Sequence, residues 1–175
     1  RVDSIMDNIS QIYGKKQARI DFYKNMAEKS RKPETLLSAY DKLYDEYFVF
    51  QFDSAMVYVD KAIQLADRIG DKYHHDKSRI EKASLLAVGG LYGEAMGLLG
   101  EIDSVELDDE LRFTYTITHY YVYTYWADYC HDNTYSPRYR ERADSYLKQA
   151  VAMLRPTDSY YDFFWGEYYI YVERN

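Results

Sequence analysis

Ala55-Met56-Val57-Tyr58-Val59-Asp60-Lys61-Ala62-Ile63 is matched, small residue for small residue and tyrosine for tyrosine, by Ala143-Asp144-Ser145-Tyr146-Leu147-Lys148-Gln149-Ala150-Val151. A middle copy stands at Gly90-Leu91-Tyr92-Gly93-Glu94-Ala95, followed by Leu98 and Leu99. The equivalent alanines lie 40 and 48 residues apart, a period suited to a solenoid of helix pairs. An alanine recurs at such a place when two helices cross closely, because a larger side chain would force them apart.

Outward from these copies, the chain reads as helices separated by identifiable breakers. Ile5, Ile9, Ile12, Arg19, Tyr23 and Met26 fall largely at three- and four-residue steps, the stripe of a long amphipathic first helix. Pro33 followed by Glu34 suits the first turn of a second helix running to about Phe50. Asp53 and Ser54 offer caps to a third, with Ala55, Tyr58, Val59, Ala62, Ile63 and Leu65 on one face and a stop at Gly70. A fourth starts near Asp71 and ends at Gly89-Gly90, and a short fifth covers Tyr92 to Glu101. A polar turn from Asp103 to Asp109 precedes the sixth. Pro137 opens a helix to Leu154, and Thr157 or Asp158 caps a last one reaching Arg174.

The stretch from Leu111 to Cys130 sets local propensity against context. Its threonines and tyrosines favour strand, but Leu111, Tyr115, Thr118, Val122, Tyr125 and Tyr129 step by four and three, and a lone strand among helices would have no partner. It is read as a buried helix. Arg112, His119 and Asp128 argue against a membrane span of the same length. The expected fold is therefore all-α, a right-handed α-α solenoid of about three degenerate helix pairs. As one domain over 1–175, it divides into a leading helix (1–30), pairs at 33–70, 71–102 and 108–154, and a trailing helix (158–174).

Composition narrows the function. With 22 Lys and Arg against 29 Asp and Glu the net charge is −7, and the bases are scattered among acids, so nucleic acid is not an expected partner of this chain. A single cysteine, Cys130, excludes an internal disulfide. The chain opens at Arg1 with no charged-then-apolar leader, as an excised fragment or processed mature chain would. Tyrosine, at 22 of 175 residues, is far above ordinary usage and serves packing, recognition or both.

Gly90, Tyr92 and Ala95 match the Gly-x-Tyr-x-x-Ala signature of the second helix of the tetratricopeptide repeat, which the chain resembles. The tryptophan and Leu-Gly pair of the first helix are missing, and both spacings exceed the repeat's length of about 34 residues. A narrower resemblance is carried by the segment from Tyr47 to Tyr58, the Gly90–Ala95 motif and Trp126-Ala127-Asp128-Tyr129. Together they are similar to the sensor region of a Bacteroidetes family of membrane-spanning transcriptional regulators. That resemblance implies a periplasmic, non-catalytic sensing module tethered to the inner membrane through a downstream helix, with a buried, inert Cys130. From the residues themselves, the expected partner is a protein, a peptide or a carbohydrate, and no cofactor or metal is expected. A passive scaffold without signalling is the alternative.

The candidate chemistry is thin. His74-His75-Asp76 contains metal-ligand types, but a site needs further ligands at defined spacing and no second cluster follows. Cys130-His131, with His119 three turns earlier, contains a thiol and a base, but helix neighbours point in different directions. Aromatic residues are better candidates. With Ala55 at its repeat position, Leu37, Tyr40, Tyr44, Tyr47 and Phe48 line the expected concave face, and the third pair adds Tyr120 and Tyr123. Such rings stack on a sugar or grip a peptide at little entropic cost; equally, they fill space between helices.

Overall fold

Pro33, Gly70 and Gly90 mark helix boundaries in the computed structural model, which describes residues 2–173, with side chains from residue 11 onward. Eight helices and no strand are found among these residues: α1 (Val2–Lys29), α2 (Pro33–Tyr47), α3 (Phe52–Ile69), α4 (Lys72–Val88), α5 (Tyr92–Gly100), α6 (Asp109–Cys130), α7 (Tyr135–Met153) and α8 (Tyr161–Tyr171). The side chains of Ile5 and Ile9, and Arg174, lie outside the described residues.

Two glycines end helices by the same device. Gly70 and Gly90 adopt φ of +71° and +80°, a left-handed turn that costs a residue without Cβ nothing. The Gly70 N–H donates to the Asp67 carbonyl and that of Asp71 to Ala66 (2.9 Å); Gly90 and Leu91 repeat the pattern on Ala87 and Leu86. Asp71 then caps α4 by accepting from the His74 N–H at 3.0 Å, and Asp108 caps α6 through the Leu111 N–H at 2.8 Å. Arg112 donates to the carbonyls of Val105 and Leu107, which holds the polar turn before α6 in shape.

Other ends differ from the expectations. α2 stops at Tyr47 instead of Phe50, and α3 begins at Phe52, so Asp53 lies in its first turn instead of capping it. Asp158 does not cap α8 either. Its carboxylate accepts the Arg155 N–H at 2.7 Å, which turns it back towards α7, and α8 starts at Tyr161. Before α7, Asp132 accepts from the N–H groups of Thr134 and Tyr135 at 2.7 and 2.6 Å.

The Thr- and Tyr-rich segment is helix throughout. Thr114, Thr116 and Thr118 each donate a hydroxyl to the carbonyl four residues back, at 3.0, 2.7 and 2.8 Å, and Nδ1–H of His119 does so to Tyr115 at 3.0 Å. These bonds let β-branched and polar residues sit inside a helix without orphaned groups. The expected stripe holds at Leu111, Thr118 and Val122, but Tyr125 and Tyr129 are exposed. The middle of α6 is buried on several faces instead, from Thr116 to Tyr120 without interruption.

Contacts between residues divide the chain into two compact units, Arg1–Ser78 and Arg79–Asn175, with the division inside α4. In the first, α2 packs against both α1 and α3. Leu37, Ala62, Leu65 and Ala66 form its α2–α3 core. Among the α1 residues whose side chains are described, Ile20 is buried, whereas Ile12 is 66% exposed. The reason is length: α1 has 28 residues against the 15 of α2, about 42 Å against 22 Å, so part of α1 runs past its neighbour. In the second unit, α6 packs against α5 and α7, and α8 against α7. Its core joins Ile117, Tyr120 and Tyr123 to Ala143, Leu147, Ala150, Val151 and Phe164.

The repeat is visible as burial. Ala55, Ala95 and Ala143 have 0%, 0% and 1% of their surface exposed. Four and seven residues after each alanine the side chain is buried again: Val59 and Ala62, Leu99 and Ile102, Leu147 and Ala150. One buried stripe thus recurs on α3 and α7, and on α5 together with the turn that follows it, where Ile102 lies.

Candidate functional site

In the first unit the aromatic residues stack on one another beneath lysines. Tyr47 lies parallel to Tyr58 at 5.8 Å and to Phe50 at 6.3 Å, and Tyr58 meets Tyr40 at 6.2 Å. Lys61 sits over Tyr58 and Tyr40, Lys24 over Tyr47 and Lys16 over Phe50, the last at 4.3 Å from the ring centre. Of the expected face, Leu37, Tyr44 and Tyr47 are buried, while Tyr40 and Phe48 are half-buried. Three of the five therefore fill the space between helices: Leu37 packs on Ala62, Leu65 and Ala66 of α3, and ring contacts with Phe48, Phe50 and Tyr58 consume the surface that Tyr44 and Tyr47 would present.

The second unit has a longer ladder. Tyr92, Trp126, Tyr139, Tyr123, Tyr146 and His119 follow ring upon ring, the tightest step being Trp126 on Tyr139 at 4.4 Å and 17°. On one side of it a hollow of about 490 Å³ is lined by Met96, Tyr123, Trp126, Tyr135, Tyr139 and two arginines, Arg138 and Arg142. Tyr123 is itself buried, so it gives this hollow an edge and not an open face.

A second hollow of about 490 Å³ lies between α6, α7 and α8. It is lined by Tyr120, Tyr121, Thr124 and Tyr125 from α6, Asp144 from α7, and Glu167 and Tyr171 from α8, with the Asp128–Arg140 ion pair (2.5 Å) at its rim. The buried Tyr120 donates its hydroxyl to Glu167 at 2.6 Å, which ties α6 to α8. Burial pushes the Tyr121 hydroxyl up to about 12 and holds the Asp144 carboxyl above the ordinary carboxylate range. Tyr121 and Tyr125 stack at 5.9 Å and 22°, and Tyr125 is partly open to solvent. The arrangement offers aromatic surface together with hydroxyl donors and carboxylate acceptors, the means of holding a polyhydroxylated ring.

Comparison with protein families finds a match over residues 6–175 to the family described as the SusR N-terminal TPR domain. The chain belongs to this family. Its all-α fold is accordingly of the tetratricopeptide-like, helical-solenoid class. A comparison with curated proteins finds no match. Domains of tetratricopeptide type are typically non-catalytic interaction modules that bind proteins or peptides. No helix among the described residues of this SusR-type domain is long and apolar enough to cross a membrane.

The remaining motifs of the SusR-type domain have structural partners. His74 pairs through Nδ1 with Asp71 at 2.7 Å, and among the described residues no three potential ligands converge on a metal position. His119 is buried, stacked on Tyr146 at 4.5 Å, and burial lowers its pKa. Cys130 is half-buried, not buried as expected, because it ends α6 just before the left-handed His131. Tyr120 and Tyr123, expected on the concave face, are both buried, each at the edge of one hollow, and the lining residues Tyr121 and Tyr125 were not among the expected ones. The signal was available: Tyr121, Thr124, Tyr125 and Asp128 fall at i, i+3, i+4 and i+7, one stripe of a helix.

Proposed function

We propose that this SusR-type domain is the ligand-sensing module of a larger, membrane-anchored transcriptional regulator, that it works in the periplasm, and that it has no catalytic role. The observation that carries the reading is the hollow between α6, α7 and α8, where tyrosine rings, hydroxyls and the carboxylates of Asp144 and Glu167 meet. Its chemistry suits a neutral carbohydrate ring, with Tyr121 and Tyr125 giving surface and Glu167 accepting from sugar hydroxyls. From the stripe expected on the sequence, Tyr120 contributes by orienting Glu167, and Tyr40 and Phe48 are the members with surface left for a protein or peptide partner. Family membership over nearly the whole chain supports the regulatory context.

The mechanism is a population shift. A ligand touching three helices favours one placement of α8 against α6 and α7, and α8 passes that preference to the segment that follows it in the regulator. A coupling of about 1–3 kcal/mol suffices. Isothermal titration with a panel of neutral di- and trisaccharides tests the proposal: binding that is lost in Glu167→Gln and Tyr121→Ala is expected. If no member binds while peptides do, and those variants change nothing, the chain is a protein scaffold instead.

A further inference from the structure

The hollow lined by Met96, Tyr123 and Trp126 has an electrostatic character opposite to that of the one between α6, α7 and α8, although the chain as a whole carries −7. Arg138 and Arg142, one helical turn apart on α7, both line it, and no carboxylate does. Neither arginine has an ion-pair partner among the described residues, whereas Arg140 between them turns away to Asp128. Arg142 is held in place: Nη1 donates to the Tyr123 hydroxyl at 3.0 Å, and its guanidinium lies 5.5 Å from the centre of that ring. Arg138 lies 5.8 Å from the centre of Tyr135. Trp126 is stacked between Tyr92 and Tyr139, and Tyr139 between Trp126 and Tyr123, so their faces are occupied and their edges remain for the hollow. Ring edges carry the positive end of the aromatic quadrupole. Cationic forks and positive ring edges together form a receptor for an anion, and guanidinium pairs favour the planar, bidentate carboxylate.

From this geometry we infer that the hollow between α5, α6 and α7 binds a small carboxylate-bearing ligand of sugar size, such as a hexuronate. A volume of about 490 Å³ accommodates one such ring. The inference is independent of the neutral-sugar hollow, whose carboxylates would repel the same ligand.

The test is titration of the 175-residue chain with D-glucuronate and D-galacturonate, alongside D-glucose, D-galactose and inorganic phosphate. The uronates are expected to bind, the neutral sugars at least about tenfold more weakly, and uronate affinity to fall with added salt. Arg138→Gln and Arg142→Gln should each weaken uronate binding by about tenfold or more, Arg138→Gln without moving the melting temperature because that arginine is exposed and its ring contact is with the exposed Tyr135. Arg142→Lys should retain part of the affinity, and Tyr121→Ala in the other hollow should retain all of it. Uronates that bind no better than their neutral counterparts, Gln variants that bind like the parent, or phosphate that binds as well as uronate would each overturn the inference.

Discussion

Alanine at positions 55, 95 and 143 leaves no side chain beyond Cβ where α3, α5 and α7 meet their neighbours, and all three are fully or almost fully buried. Enlarging one should therefore cost more than it gains: Ala143→Leu is expected to lower unfolding stability by about 1–3 kcal/mol, read from urea denaturation. Tyr44 and Tyr47 make the complementary case. Both are buried, so replacing Tyr47 by alanine should cost about 3–5 kcal/mol, whereas a ring that only bound a ligand would leave stability nearly unchanged. His119 supplies a pH dependence. Burial lowers its pKa below the ordinary 6.5, so the folded chain keeps the ring neutral where the unfolded chain has taken a proton. The stability this represents is complete above about pH 6.5 and drains as pH falls below it. Melting temperatures at about pH 7.5 and about pH 5.5 should differ less in His119→Phe than in the parent.

Elements were set by local punctuation wherever backbone stereochemistry left little choice. Gly70, with φ of +71° and no atom within 4 Å of where a Cβ would stand, ends α3 for conformational reasons alone. Gly70→Ala should cost about 1–2 kcal/mol in chemical denaturation, and Gly70→Asn less. In α6 the two signals conflict, because its composition speaks for strand and only its periodicity speaks for helix. The back-bonded threonines explain how the second consideration prevails. Asp53 and Asp158 do not cap for an opposite reason: a side-chain oxygen shows only that a cap is available, and the Asp158 carboxylate accepts instead from the competing Arg155 N–H.

At the scale of the whole molecule, charge and exposed aromatic surface act together. α8 leaves Phe163, Tyr169, Ile170 and Tyr171 about half exposed, and mutual repulsion between acidic chains opposes their association at neutral pH. Net charge vanishes near the isoelectric point of about 5.1. Light scattering of the isolated chain should accordingly peak near that pH, and Phe163→Glu with Ile170→Lys should suppress the peak. By itself the sequence determined the helical class, the three repeat alanines and the glycine stops, since each rests on near-neighbour stereochemistry or on a period that survives in one dimension. Which rings stack and which line a hollow was decided only by tertiary structure. Tyr120 and Tyr121 are adjacent and identical in type, yet one is buried against Glu167 and the other forms a wall, because partners from α7 and α8 approach α6 from directions that no local pattern encodes.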